Sequence, residues 1–178
     1  NGSSWTSVST LPYYFCGGSA VVLNGEIHIL GAYGQATQHY KWNGSSWTSV
    51  STLPYYFGYS PAVVLNGDIY ILGGYSSSST YKNHYKWNGS SWTRRHTLPY
   101  DFYNGAAVVY NNEIHILGSN SASDGYTNHY KWDGSWSNGS TWTSVSTLPY
   151  GLYNGRAVVC NNEIHILGGS KYNTNHYY

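Results

Sequence analysis

WTSVSTLPYYF at residues 5–15, AVVLNGEIHILG at 20–31 and HYKW at 39–42 make up a unit that the chain repeats. The unit restarts at Trp47, Trp92 and Trp142, in steps of 42, 45 and 50 residues. Each period holds four short runs of β-branched and aromatic residues, divided by Asn-Gly and Gly-rich breaks. A period of this length with four strand signals points to the blades of a propeller rather than to a helical solenoid. No segment shows helical periodicity. A residue that recurs in every unit is first a part of the fold, so function is sought in the departures.

The strands are called a (AVVL, 20–23), b (EIHIL, 26–30), c (HYKW, 39–42) and d (SWTSV, 46–50). Strands a and b flank Asn24-Gly25, a pair that accepts the positive φ angles of a type I′ turn. Asn66-Gly67, Asn111-Asn112 and Asn161-Asn162 hold the same place. Strands c and d turn at Asn43-Gly44, and Asn88-Gly89 and Asn138-Gly139 repeat that turn. A polar loop joins b to c, and STLPYYF or a variant joins d to the next a. The expected organisation is one domain, residues 1–178, with repeats at about 1–42, 43–87, 88–137 and 138–178.

A hydrophobic strand ending in Gly-Gly, then a Tyr, then a Trp seven positions later resembles the signature of the kelch repeat. Gly73-Gly74, Tyr85 and Trp92 form one complete instance. Tyr40 and Trp47 keep the spacing after Gly31-Ala32; Gly118-Ser119 and Tyr130 stand before Trp142; Gly168-Gly169 and Tyr177 recur at the end. The Arg that often follows the Pro of the d–a link in kelch proteins is absent. The resemblance covers the whole chain and implies an all-β propeller, with a lining the central channel and d outermost. It also implies that the rim carrying the d–a links and b–c loops is the binding face.

The chain starts with a d strand and stops after a c strand. An N-terminal d that completes the C-terminal a-b-c blade would remove two exposed edges. Joining Tyr178 to Asn1 places Trp5 six positions after Tyr177, against seven in the repeat. Four blades would close within one chain, or two chains would exchange ends into an eight-bladed homodimer. Kelch proteins usually have five to seven blades, so a longer parent protein is the third option.

Composition excludes several classes. Only 8% of residues are charged, net charge is +1, and no basic run exceeds Arg94-Arg95, so a nucleic-acid footprint is not expected. No apolar stretch approaches 18 residues, so no membrane span is expected. No signal peptide is visible and there is no Met at all, which points to a processed product or a segment. A low-charge chain with 21 Tyr and 8 Trp reads as extracellular, on a cell surface or virion. Cys16 and Cys160 fall in slots seven positions apart in different repeats, too far for a disulfide.

Most chemistry-bearing residues recur. His28, His115 and His165 share one slot, with Tyr70 in the second repeat; His39, His84, His129 and His176 share another. They read as packing residues on separate blades, not as ligands of one metal. Glu26, Asp68 and Glu113 are expected to pair with Lys41, Lys86 and Lys131, leaving Glu163 without a lysine. No cofactor is expected. Asn43, Asn88 and Asn138 head glycosylation sequons, although turn chemistry alone explains them.

The d–a links, Tyr13-Tyr14-Phe15, Tyr55-Tyr56-Phe57, Tyr100-Asp101-Phe102 and Tyr150-Gly151-Leu152, place tyrosines at the loop-bearing rim. Aromatic rings there stack on sugars or anchor a protein partner. The alternative for the first Tyr and the Phe of each link is packing between blades, whereas the variable second slot, Tyr14, Tyr56, Asp101 and Gly151, reads as surface. The departures are Arg156, where other repeats have Ser19, Pro61 and Ala106; Asp101, its candidate ion-pair partner; Arg94-Arg95-His96; and an insertion carrying Trp136. The candidate ligand-binding set is Tyr14, Tyr56, Tyr100, Asp101, Tyr103, Tyr153 and Arg156. The expected function is a non-catalytic binding or adhesion module for a glycan or protein. The alternative is a structural or assembly repeat of a surface appendage, and third a sugar-modifying enzyme seeded by Arg156 and Asp101.

Overall fold

The computed structural model describes residues 2, 4–34, 37–75, 82–119, 126–135, 141–169 and 174–178. The fifteen strands among these residues form four antiparallel sheets. Blade I is β1 (Ser19–Leu23), β2 (Glu26–Leu30), β3 (His39–Trp42) and β4 (Trp47–Ser49). Blade II is β5 (Ala62–Leu65), β6 (Asp68–Leu72), β7 (His84–Trp87) and β8 (Trp92–Arg94). Blade III is β9 (Ala106–Tyr110), β10 (Glu113–Leu117), β11 (His129–Trp132) and β12 (Thr143–Ser144). Blade IV has three strands among the described residues, β13 (Arg156–Cys160), β14 (Glu163–Leu167) and β15 (His176–Tyr177). The innermost strands pack in series, β1 on β5, β5 on β9 and β9 on β13, the arrangement of a β-propeller. Among the described residues no helix is long and apolar enough to cross a membrane.

The first hairpin turn forms as its residues dictate. Asn24-Gly25 and Asn66-Gly67 have φ of 52° and 79°, and Asn111-Asn112 and Asn161-Asn162 are positive at both places. The second turn is built differently: the Asn43 side-chain oxygen accepts from the Ser45 and Ser46 N–H groups, and Asn88 repeats this with Ser90 and Ser91. Both asparagines are exposed at turns, and Asn138 lies outside the described residues, as do Trp136 and much of the longer b–c loops.

Because side chains alternate along a strand, each blade has two faces. Val21, Leu23 and Leu30 of blade I face blade II, where they meet Ala62, Ile69, Ile71 and Trp87. Val63, Leu65 and Leu72 of blade II meet Ile114, Ile116 and Trp132 of blade III in the same way. Ala106, Val108 and Leu117 then meet Ile166, Ala157 and Ile164 of blade IV. We call the first face of each pair forward and the second backward. The d–a link joining the two blades completes each core: Leu53 and Phe57, Leu98 and Phe102, Leu148 and Leu152.

The expected closing strand is not formed. Residues 4–10 carry no strand, Trp5 is fully exposed, and blade IV stops at β15. Among the described residues the four blades stand as a series, with a bare backward face at blade I and a bare forward face at blade IV. Cys16 and Cys160 are free and exposed.

The first Tyr of each link packs into a core, and Tyr100 of the expected ligand-binding set is placed there. It is buried, and its hydroxyl donates to the Gly118 carbonyl at 2.9 Å. Tyr13 and Tyr55 do the same to Gly31 and Gly73, the first glycine of each doublet. Each ring packs on the strand-c tyrosine, at 5.6 Å for Tyr100 and Tyr130. In blade IV the Tyr150 hydroxyl is buried without a partner. Tyr100→Phe should therefore lower stability by about 1–2 kcal/mol in urea unfolding, since it strands a buried carbonyl. Tyr150→Phe should leave it unchanged.

Candidate functional site

The link ends in a residue that every blade holds in the left-handed region. Gly17, Tyr59, Asn104 and Asn154 share this slot, with φ of 68°, 56°, 56° and 58°. Gly and Asn tolerate that conformation; for Tyr it is unusual and costs about 1 kcal/mol or more. The conformation aims each N–H at the preceding blade. Tyr59 N–H donates to the Gly17 carbonyl at 2.7 Å, Asn104 N–H to Tyr59 at 2.5 Å, and Asn154 N–H to Asn104 at 2.8 Å. A girdle of backbone hydrogen bonds thus runs across all four blades at the loop-bearing rim.

Inside the girdle the starts of the four innermost strands line a cavity of about 460 Å³, from residues 17–20, 59–61, 104–107, 154 and 156–157. Small residues and backbone form most of its wall. Above it lies a shallower recess of about 290 Å³ lined by Tyr59, Tyr75, Tyr103, Asn104, Tyr153 and Asn154. The rings run in sequence along the rim: Tyr33 to Tyr59 at 6.2 Å, Tyr59 to Tyr75 at 6.5 Å, Tyr75 to Tyr103 at 6.0 Å. The Tyr59 ring also lies over Gly17, where an added Cβ would meet it at 2.9 Å.

The structure thus brings together Tyr103, Tyr153 and Arg156 from the expected set. Tyr14 and Tyr56 are exposed on the links but line neither cavity. Asp101 is half-buried and its carbonyl accepts from the Ser119 hydroxyl. No ion pair joins Asp101 to Arg156. The Arg156 guanidinium instead donates to the carbonyls of Gly155 at 2.8 Å and Asn154 at 3.3 Å. In the other blades the next blade's N–H takes the carbonyl of that slot, so Arg156 caps the end of the girdle. Tyr33, Tyr59, Tyr75, Asn104 and Asn154 were not in the expected set. A signal existed: Tyr33 and Tyr75 directly follow the glycine-doublet positions, and Asn104 and Asn154 each precede a Gly.

The recurrent polar residues are spent locally. His28 and His39 share a hydrogen bond at 2.9 Å, as do His115 with His129 and His165 with His176 at 2.8 Å. Glu26 pairs with Lys41, Asp68 with Lys86 and Glu113 with Lys131. Among the described residues no group of three or more His, Cys, Asp or Glu converges as metal ligands would.

No protein-family model matches the chain, and no curated protein does. Among solved structures the chain is similar to the structure of YjhT, with a TM-score of 0.77 and 17% identity over 91% of this chain. It spans 60% of the length of that structure. A likeness at this identity is one of fold: the chain is a β-propeller.

The histidines predict an acid response. Burial, with His28 beside it, lowers the pKa of His39 to about 3, and burial lowers that of His84 to about 3. An unfolded histidine titrates near 6.5. Between those values the unfolded chain binds more protons, so stability is complete above about pH 6.5 and is lost as pH falls towards 3. Each of the two contributes up to about 1.4 kcal/mol per pH unit. Urea midpoints taken from about pH 7 to 5, above the carboxylate range, should fall; a flat profile would contradict this account.

Proposed function

We propose that this chain is a kelch-type, non-catalytic binding module whose ligand lies across the tyrosine-lined mouth of the channel. The observation that carries this reading is Tyr59. Its backbone adopts a conformation that the same slot elsewhere fills with Gly or Asn, and its ring stands between Tyr33 and Tyr75. Strain of this kind is retained where the residue serves something other than the fold. The cavity volume suits a small ligand or one residue of a larger one. A row of tyrosine rings beside Asn104 and Asn154 offers flat apolar faces and amide hydrogen bonds side by side. That combination matches a glycan, whose rings have apolar faces and hydroxyl edges, better than a wholly apolar ligand.

The non-catalytic reading is supported by the lining. Among the described residues lining the two recesses Arg156 is the one charged side chain, and its guanidinium is held by backbone carbonyls. A cell-surface or virion location, where glycans are met, belongs to the same proposal.

The test pairs a glycan array with Tyr59→Asn. Asn fills this slot in blades III and IV, so the variant should keep or raise the melting temperature as the strain is relieved. Its affinity for the glycans bound by the wild type should fall about tenfold, equivalent to about 1.4 kcal/mol. A wild type that binds no glycan, or a variant that binds as well as the wild type, would overturn the reading.

A further inference from the structure

The fifteen large hydrophobics exposed among the described residues fall into two groups. Five are tyrosines of the rim. The other ten lie in the first and last units: Trp5, Val8, Leu11, Val22 and Ile27 at one end, and Val158, Val159, Leu167, Tyr177 and Tyr178 at the other. All but Tyr178, which stands in the slot of Lys41, occupy positions whose counterparts pack at the seams between blades. Leu167 is 38% exposed, whereas Leu30, Leu72 and Leu117 in its slot are 0%, 0% and 1%. Ile27 is 41% exposed against 0% for Ile69 and Ile114, and Leu11 is 47% exposed against 4%, 2% and 9% for Leu53, Leu98 and Leu148.

Each interface inside the molecule has three parts: a forward face, a backward face and the link between them. The bare forward face of blade IV carries Val158, His165 and Leu167. The bare backward face of blade I carries Ala20, Val22 and Ile27, with Leu11 in its link. The chain therefore holds all the parts of a fourth interface, unassembled.

Two further features point the same way. The girdle is open, with Gly17 at one end and the Asn154 carbonyl, held by Arg156, at the other. A tryptophan is also missing from its place. Trp92 covers His39 and Trp142 covers His84, each at 5.6 Å between ring centres, and both histidines are buried. His129 holds the next equivalent position and is half-exposed. The strand that would cover it is the fourth strand of blade IV, and the equivalent tryptophan is Trp5.

We propose that the partner is a second copy of this chain. Its N-terminal segment, residues 4–8, adds to β15 as the fourth strand of blade IV and sets Trp5 over His129. Its blade I seats the backward face on Val158 and Leu167. The contact is head-to-tail, and made reciprocally it closes two chains into an eight-bladed ring in which both junctions are the same. It removes both unpaired edges, which a lone chain leaves open to uncontrolled pairing. The contact leaves the rim tyrosines free, so it stands independently of the ligand reading.

Light scattering coupled to size exclusion tests this on the chain itself. The wild type should have twice the chain mass of 19.8 kDa. Val22→Asp with Ile27→Asp blocks one end, and Val158→Asp with Leu167→Asp blocks the other. Each double variant alone should run at one chain mass, and an equimolar mixture should recover a species of two chains through the one intact junction. Trp5→Ala removes a side chain that is fully exposed in the single chain, so it should weaken the dimer without touching the fold. A wild type of one chain mass, or a dimer that tolerates Trp5→Ala and both blocked ends, would overturn the proposal. So would a dimer lost on blocking only one of the two ends, which is the pattern of a face paired with itself.

Discussion

A single blade cannot bury both of its faces, and everything else in this structure depends on that constraint. A four-stranded sheet with apolar residues on each side becomes stable only when neighbours cover it. Here the forward face of one blade presents Val, Leu and Leu, and the backward face of the next presents Ala, Ile, Ile and Trp. The link between them tucks a Leu and a Phe or Leu into the seam. Burial decides where the long-range order lies: blades II and III, covered on both sides, hold most of the fully buried side chains. Blades I and IV are each finished on one side only.

The girdle is the polar counterpart of this packing. Apolar contact alone would let one blade slide on the next. A backbone hydrogen bond at the rim fixes the height of each blade against its neighbour and needs a left-handed residue to aim the donor. Gly17, Asn104 and Asn154 meet that need with little strain, and Tyr59 meets it at a cost. The site and the fold are therefore joined at one backbone position: the same turn that stitches the blades lifts a tyrosine ring into the row at the channel mouth.

Much of the fold was legible in the sequence, because its signals are local. Asn24-Gly25 forces a turn, and strands on either side of it must pair. Glu26 and Lys41 sit on neighbouring strands at one end, so their ion pair follows from spacing. The histidine slots adjoin across strands b and c, and their pairing needs no partner from another blade. The site was less legible. Tyr13, Tyr55 and Tyr100 could be read as packing between blades or as ligand contacts, and each hydroxyl reaches a glycine carbonyl eighteen residues along the chain. Nothing in the link itself records that partner. Tyr59 was overlooked because a left-handed residue is expected to be Gly or Asn, and a Tyr conceals the slot. The phase of the repeat pointed to an N-terminal strand that completes blade IV and left open whether the same chain or a second copy supplies it, because phase fixes only which blade a strand completes.

Hydrogen exchange at individual amides of Tyr59, Asn104 and Asn154 tests the central claim, that stitched and buried seams between blades hold this molecule together. These three N–H groups lie in irregular loops, outside every strand. The account predicts protection as strong as that of the strands β5, β9 and β13 which they flank, because opening any of them requires two blades to part. Exchange at the rate of the exposed Asn43 and Asn88 turns would contradict it and would reduce the blades to independent hairpin sheets resting side by side.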